Sequence, residues 1–142
     1  MKKYELIKED FKVLPNGEHI FRIKRLSDGL IGGYIQCEKN LDQDGSALVY
    51  GNAQVYGSAQ VYGDALVYGD GDIFVCGPIG SRNSSVTFSK NKKKELFVTT
   101  GCYHGKVDDF IKKVKSVHGG KKHEKTYALA IKLAKAQFEM GY

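Results

Sequence analysis

Residues 45–74 read GSALVY GNAQVY GSAQVY GDALVY GDGDIF, five successive hexads that each begin with glycine. In the first four hexads alanine stands third and valine stands fifth. Residues two apart on an extended strand point to the same side, so the repeat predicts a small, apolar inward face. The fifth hexad departs from the pattern with Gly71, Ile73 and Phe74, as terminal repeats commonly do.

The regular glycines predict a corner at the start of each hexad, with three hexads in one triangular coil of a left-handed parallel β-helix. In that geometry Tyr50 stacks on Tyr68, and Tyr56 lies over Phe74, on the outside of the coil. A β-hairpin meander is the alternative, but a hexad leaves about four residues for each arm, which is shorter than usual. Five hexads make fewer than two coils, so flanking segments or a second chain must cover the ends.

The flanking segments complete a mainly β protein with C-terminal helices. The turn signals Pro15-Asn16-Gly17 and Ser27-Asp28-Gly29 predict a small N-terminal β cap. A β-hairpin with arms at residues 86–90 and 95–100 follows the hexads. Helical periodicity then predicts two α-helices, one ending at Gly119 and one from about Lys122 to Met140. The expected segments are residues 1–44 (cap), 45–76 (short hexapeptide-type solenoid) and 77–142 (C-terminal α/β portion).

Composition restricts the classes of partner. The net charge of +6 comes from lysines concentrated at residues 90–94 and in the C-terminal third, and arginine is scarce, so a solvated lysine face is favoured over a nucleic-acid footprint. The sequence shows no apolar run of membrane-spanning length and no signal-peptide core, which predicts a cytoplasmic protein that does not enter membranes. The cysteines Cys37, Cys76 and Cys102 lack metal-ligand spacing. We expect no metal and no cofactor.

The loop at residues 77–85 offers the ingredients of an anion site. Gly77 and Gly80 give backbone flexibility, Ser81 gives a hydroxyl, and Arg82 gives a guanidinium that can bind a phosphate or carboxylate in bidentate fashion. Polar residues at the end of a neighbouring strand extend the candidate ligand site: Thr99, Thr100, Tyr103 and His104. Polar groups that converge at strand ends commonly form ligand sites. A tight structural turn with Arg82 in an ordinary ion pair is the alternative.

With these segments assembled, the chain resembles a family of short-repeat proteins common in phages, prophages and Gram-positive bacteria. The marks of the resemblance are Gly32-Gly33-Tyr34-Ile35, Glu38, Asn40-Leu41, the hexads, Gly77-Pro78-Ile79-Gly80-Ser81-Arg82, Gly101-Cys102 with Gly105, and His118-Gly119. The resemblance covers most of the chain, although Gly119-Gly120-Lys121 stands where an acidic residue is expected after the His-Gly pair. It implies an accessory or anti-defence role in a host cell cytoplasm.

Three functions fit this sequence. The favoured one is a non-catalytic protein that holds a phosphate-bearing small molecule and sequesters a host nucleotide immune signal. In this hypothesis Gly80, Ser81, Arg82 and His104 contact the anion and Tyr103 stacks on a base. The alternatives are a protein-interaction module that inhibits a host protein and a nucleotide-processing enzyme. Left-handed β-helices often associate through flat faces, so a homotrimer is expected first and a dimer second.

Overall fold

β-Strands dominate the chain, and two α-helices follow them. The structure is a computed structural model that describes residues 2–63, 65–69, 72–80, 84–91, 93–100, 103–120 and 122–138, without the side chain of His118. The elements are β1 (Tyr4–Val13), β2 (His19–Arg25), β3 (Ile31–Ile35), β4 (Leu48–Val49), β5 (Gln54–Val55), β6 (Leu66–Val67), β7 (Ile73–Ile79), β8 (Ser84–Lys90), β9 (Leu96–Thr100), β10 (Tyr103–Lys106), α1 (Val107–His118) and α2 (Lys122–Gln137). Neither described helix has the length and apolar character needed to span a bilayer.

The hexads supply most of the buried residues of one of the two hydrophobic cores. Their alanines and valines are buried, which confirms the predicted inward face: Ala47, Val49, Ala53, Val55, Ala59, Val61, Ala65 and Val67. Gly51, Gly57 and Gly63 have positive φ angles, so these corners use the conformation that glycine adopts most readily. Tyr50 stacks on Tyr68 with ring centroids 4.7 Å apart, as predicted.

The predicted left-handed β-helix over residues 45–76 is wrong. The described residues form three separate sheets, ordered β1-β2-β3-β5, β4-β6 and β10-β9-β8-β7, and the hexads contribute residues to all three. The fifth hexad ends in β7, an edge strand of the antiparallel sheet, and Phe74 stacks on Phe88 instead of lying over Tyr56. The first, second and fourth hexads supply strands of only two residues. β4 and β6 pair with each other, so the second and third hexads take partners from outside the repeat.

The N-terminal segment supplies those partners. β1, β2 and β3 pair antiparallel in sequence order, and β3 then pairs parallel with the hexad strand β5. An isolated parallel bridge joins Leu41 to Val61. The predicted antiparallel strands of the N-terminal segment are present, and through β3 they form a mixed sheet with the repeat.

Glycine permits the contact between β3 and the hexads. A Cβ atom at Gly32 would lie 2.5 Å from the carbonyl oxygen of Val49, and one at Gly33 would lie 2.7 Å from that of Ala53. At this point the Tyr34 amide donates to the Ala53 carbonyl over 2.9 Å. Any side chain at residues 32 and 33 would force the two backbones apart.

A buried polar side chain also joins the N-terminal segment to the hexads. Asn40 is fully buried; its Oδ1 accepts hydrogen bonds from the amides of Gln36 and Cys37, and its Nδ2 donates to the carbonyls of Gly57 and Ala59. All four polar contacts of this amide are therefore satisfied by backbone groups.

Arg22 and Tyr4 tie the first two strands to the same region. The Arg22 guanidinium donates to the carbonyls of Gly32 and Gly51, each over 3.0 Å. Tyr4 is fully buried and its hydroxyl donates to the Leu41 carbonyl over 2.6 Å, while burial raises the pKa of its phenol. Strands β1 and β2 thus contribute both apolar area and hydrogen bonds to the hexad core.

The C-terminal part has its own core. The predicted hairpin, β8 and β9, is present at the centre of a four-stranded antiparallel sheet, which is larger than expected. One face of this sheet packs on α1 and α2 and buries a second apolar cluster that includes Val86, Phe88 and Val98. The opposite face of the sheet packs on the hexads, where the backbone N–H of Gln60 donates to Thr87 Oγ1 over 3.1 Å.

We predict that Gly33→Ala lowers the free energy of unfolding by about 2–4 kcal/mol, because the new Cβ overlaps the hexad backbone. Gly69→Ala is the matched control, since a Cβ there meets nothing within 4 Å, and its effect should stay within about 0.5 kcal/mol. Urea denaturation of both variants measures the difference. Equal stabilities would show that the approach at residue 33 is not required.

Asn40→Ala should cost about 3 kcal/mol of stability, because it leaves buried backbone donors and acceptors without their partners. Asn52 is exposed and accepts from Arg22 at the surface, so Asn52→Ala should cost less than about 1 kcal/mol. Both values come from chemical denaturation followed by circular dichroism. A small effect at Asn40 would contradict its role as a buried hydrogen-bonding hub.

Candidate functional site

The residues predicted to bind a ligand lie around one end of the C-terminal sheet. β7 ends and β8 begins at this end, and β9 ends and β10 begins there too, so Gly80 and Thr100 lie at the same end of the sheet. Ser81 and Arg82 lie outside the described residues. β7 and β10 are the two edges of the sheet, so β8 and β9 separate Gly77 and Gly80 from Tyr103 and His104.

The sheet register divides the strand residues between two faces. Thr99 pairs with His104, and Thr100 pairs with Tyr103. Directly paired residues in an antiparallel sheet share a face, and neighbours along a strand alternate. Thr99 and His104 therefore lie on the face that meets the hexads, whereas Thr100 and Tyr103 lie on the face that meets the helices.

On the hexad side, His104 and Thr99 belong to a packed junction. The imidazole of His104 stacks on the ring of Tyr62 with centroids 4.8 Å apart and planes 11° apart. Thr99 is only 5% exposed, and Thr87 in the next strand accepts the Gln60 amide. These contacts give both predicted site residues a structural explanation.

On the helix side, three aromatic rings form a continuous row. The Tyr103 and Phe110 centroids are 5.2 Å apart, and Phe110 meets Tyr127 edge-to-face at 5.1 Å. Lys113 Nζ lies 5.0 Å from the Tyr103 centroid, within the range of a cation–π contact. Burial and then the charge of Asp109 raise the pKa of Tyr103 above its usual value. Tyr103 is thus a half-buried neutral phenol beside a cation.

Two of the predicted glycines have conformational roles. Gly77 has a φ of +126° beside a register shift between β7 and β8, and a Cβ there would lie 2.8 Å from the Ser84 carbonyl oxygen. Gly80 has a φ of +81°, and a Cβ there would overlap the hydroxyl and ring of Tyr127. Gly80 therefore packs directly against Tyr127, the last ring of the aromatic row.

Beyond Tyr127 a groove opens between α1 and α2. It has a volume of about 340 Å³. Its lining is mostly apolar, with three charged side chains: Ile111, Val114, Lys115, Glu124, Lys125, Tyr127, Ala128 and Ile131. Lys115 and Lys125 are exposed, whereas the Glu124 carboxylate accepts the Gly120 amide over 2.9 Å at the start of α2. An apolar concavity of this size with a few polar groups is the usual form of a small-molecule site.

Sequence reasoning missed this groove. The helical spacing of residues 122–140 is consistent with Tyr127 and Ile131 being buried and Lys125 being exposed, as the structure shows. The sequence does not show how the apolar residues of α1 and α2 pack against each other, and this packing forms the groove. The helical spacing of Ile111 and Val114 was the signal in α1, since both residues line the groove opposite Tyr127 and Ile131.

The groove can hold a flat or apolar group against Tyr127 and an anion against the two lysines. Across the described parts of the chain, no group of three or more His, Cys, Asp or Glu residues is placed to hold a metal ion. Comparisons with family models, with curated proteins and with solved structures find no match to this chain. The resemblance to the phage and Gram-positive short-repeat family stays a prediction.

The contact between Gly80 and Tyr127 should be measurable by substitution. Gly80→Ala should cost about 3 kcal/mol or more, from the positive φ together with the overlap. Gly57 has a φ of +66° with nothing within 4 Å, so Gly57→Ala should show the conformational cost alone, about 1 kcal/mol. Thermal unfolding of both variants gives the comparison, and similar losses would exclude a close contact at Tyr127.

Proposed function

We propose that the protein is a non-catalytic binding protein for a phosphate-bearing small molecule of nucleotide type. The ligand's base would lie in the groove between α1 and α2, and its phosphates would lie on the lysine rim. The observation that carries the proposal is the apolar groove with Lys115 and Lys125 at its edge, next to Gly80, which directly follows β7.

The shape and chemistry of the groove support a base. Tyr127 is 8% exposed and is held by Phe110 on one side and by the Gly80 loop on the other, so its ring is fixed before a ligand arrives. A preorganised aromatic surface binds a base with a smaller entropic cost than a mobile one. Ala128 also lines the groove, and its small side chain leaves space for a base beside Ile131.

The charges support a phosphate. Lysine binds phosphate as a compact positive charge, and the two rim lysines come from different helices, so they can approach one anion from two sides. Glu124 is the acidic residue in the lining, and its carboxylate is engaged by the Gly120 amide. The positive net charge of the chain adds long-range attraction for anions.

In a phage setting, tight stoichiometric binding would remove a host nucleotide immune messenger. The phage setting comes from the sequence resemblance, whereas Ser81 and Arg82 are predicted anion ligands because of the chemistry of their own loop. Turnover is the competing hypothesis. Mass spectrometry separates the two, because a sequestering protein returns the ligand intact after denaturation and an enzyme returns a changed one.

The binding test is calorimetry with a panel of cyclic and linear nucleotides. We expect a ligand from the panel to bind, and Lys115→Glu/Lys125→Glu to weaken it by roughly a hundredfold, because each charge-assisted contact contributes about 1.5–3 kcal/mol. Lys112→Glu/Lys132→Glu is the matched control: both lysines are exposed on the same two helices and lie outside the groove lining.

The control variant changes the net charge by the same amount. It should retain affinity to within a few-fold, because its two lysines lie outside the groove lining. Arg82→Ala tests the sequence-based part separately. The proposal fails if no nucleotide binds, or if both lysine pairs weaken binding to the same degree, because the effect would then be one of net charge and not of the groove.

A further inference from the structure

Helix α2 carries a second apolar surface on the side away from its core. Leu129 is 66% exposed and Leu133 is 52% exposed, and Ala136 is also exposed. These residues are spaced i, i+4 and i+7, so they form one line along the helix. The residues that α2 buries in the C-terminal core lie on other positions: Tyr127, Ala130, Ile131 and Ala134. A helix buried on one side does not need a second apolar line.

Lysines border this line. Lys125 lies one turn before Leu129, and Lys132 lies one turn after it, so both are on the outward side. Lys122 lies two turns before Leu129, at the N-terminal end of the line, whereas Lys125 and Lys132 lie along one side of it; all three lysines are exposed. The acidic residue of the first turn, Glu124, is directed to the Gly120 amide and lines the groove toward α1. The outward surface of α2 is therefore apolar along its centre and positively charged at one end and along one side.

The charge pattern selects among the surfaces that could cover this line. A second copy of α2 would bring lysines against lysines, and like charges in contact are unfavourable. A bilayer-bound helix typically inserts a wide apolar face with Trp or Phe, whereas this line has two leucines and one alanine and the chain has no tryptophan. A partner helix with leucines on one stripe and acidic residues beside them matches both the narrow line and the lysines.

We propose that the outward surface of α2 docks an acidic amphipathic helix of another protein. Leu129 and Leu133 insert between the apolar residues of that helix, and the bordering lysines pair with its carboxylates. This goes beyond the proposed nucleotide site, which opens toward α1. The two surfaces share Lys125, whereas Leu129, Leu133, Lys122 and Lys132 lie outside the groove lining.

The test uses two synthetic peptides of about three heptads with leucine at positions a and d. One peptide has glutamate at positions e and g, and its twin has lysine there. Fluorescence anisotropy with the full chain should show the glutamate peptide binding about tenfold or more tightly than the lysine peptide. Leu129→Gln/Leu133→Gln should weaken binding by about tenfold or more. Val13→Gln, at a 58% exposed residue of β1, is the control and should have no effect.

A charge reversal gives an independent readout. Lys122→Glu/Lys132→Glu should invert the preference, so that the lysine peptide becomes the better ligand. Equal affinity for the two peptides, or binding unchanged by the leucine variant, overturns the proposal. It is also overturned if the chain ignores both peptides but binds phosphatidylglycerol vesicles through these leucines, or if light scattering shows a dimer that the leucine variant dissociates.

Discussion

The structure depends on how closely β3 approaches the hexads. The backbones of residues 32–33 and of the hexads lie so near that a Cβ atom at Gly32 or Gly33 would overlap a carbonyl oxygen. Hexad strands of two residues form few ladder bonds of their own, so bonds such as Tyr34 to Ala53 are a large fraction of the total. The fully buried Asn40 then supplies hydrogen bonds where no strand continues. The N-terminal segment also contributes Tyr4, Ile23, Ile35 and Leu41 to the hexad core.

Local patterns were predictable from the sequence because they depend on neighbouring residues. Alternation placed Ala53 and Val55 inside, glycine recurrence placed the corners, and helical spacing gave α1 and α2. Sheet membership was not predictable, because a strand of two residues carries no information about its partner. The same six-residue pattern is compatible with pairing to another hexad, as in β4 with β6, and with pairing to an unrelated strand, as in β5 with β3.

The candidate site shows the same limit. Thr99, Thr100, Tyr103 and His104 are close in sequence, and this closeness suggested one polar cluster. Strand alternation sends Thr99 and His104 to the hexads and leaves Thr100 and Tyr103 with the helices. What surrounds a strand-end residue depends on which elements cover each face of the sheet. For this reason the groove beside Tyr127 emerged only from the packing of α1 against α2.

The two apolar clusters have a consequence for motion. Among the described residues the two clusters share no member. The hexads and the C-terminal sheet, which contain these clusters, meet through contacts that include the Gln60–Thr87 hydrogen bond and the Tyr62–His104 stack. Regions of a protein with separate cores open with separate free energies. The helical half can therefore open without the hexads, whose amide protons would then stay protected from exchange with water. The groove between α1 and α2 can widen in this way while the repeat keeps its structure.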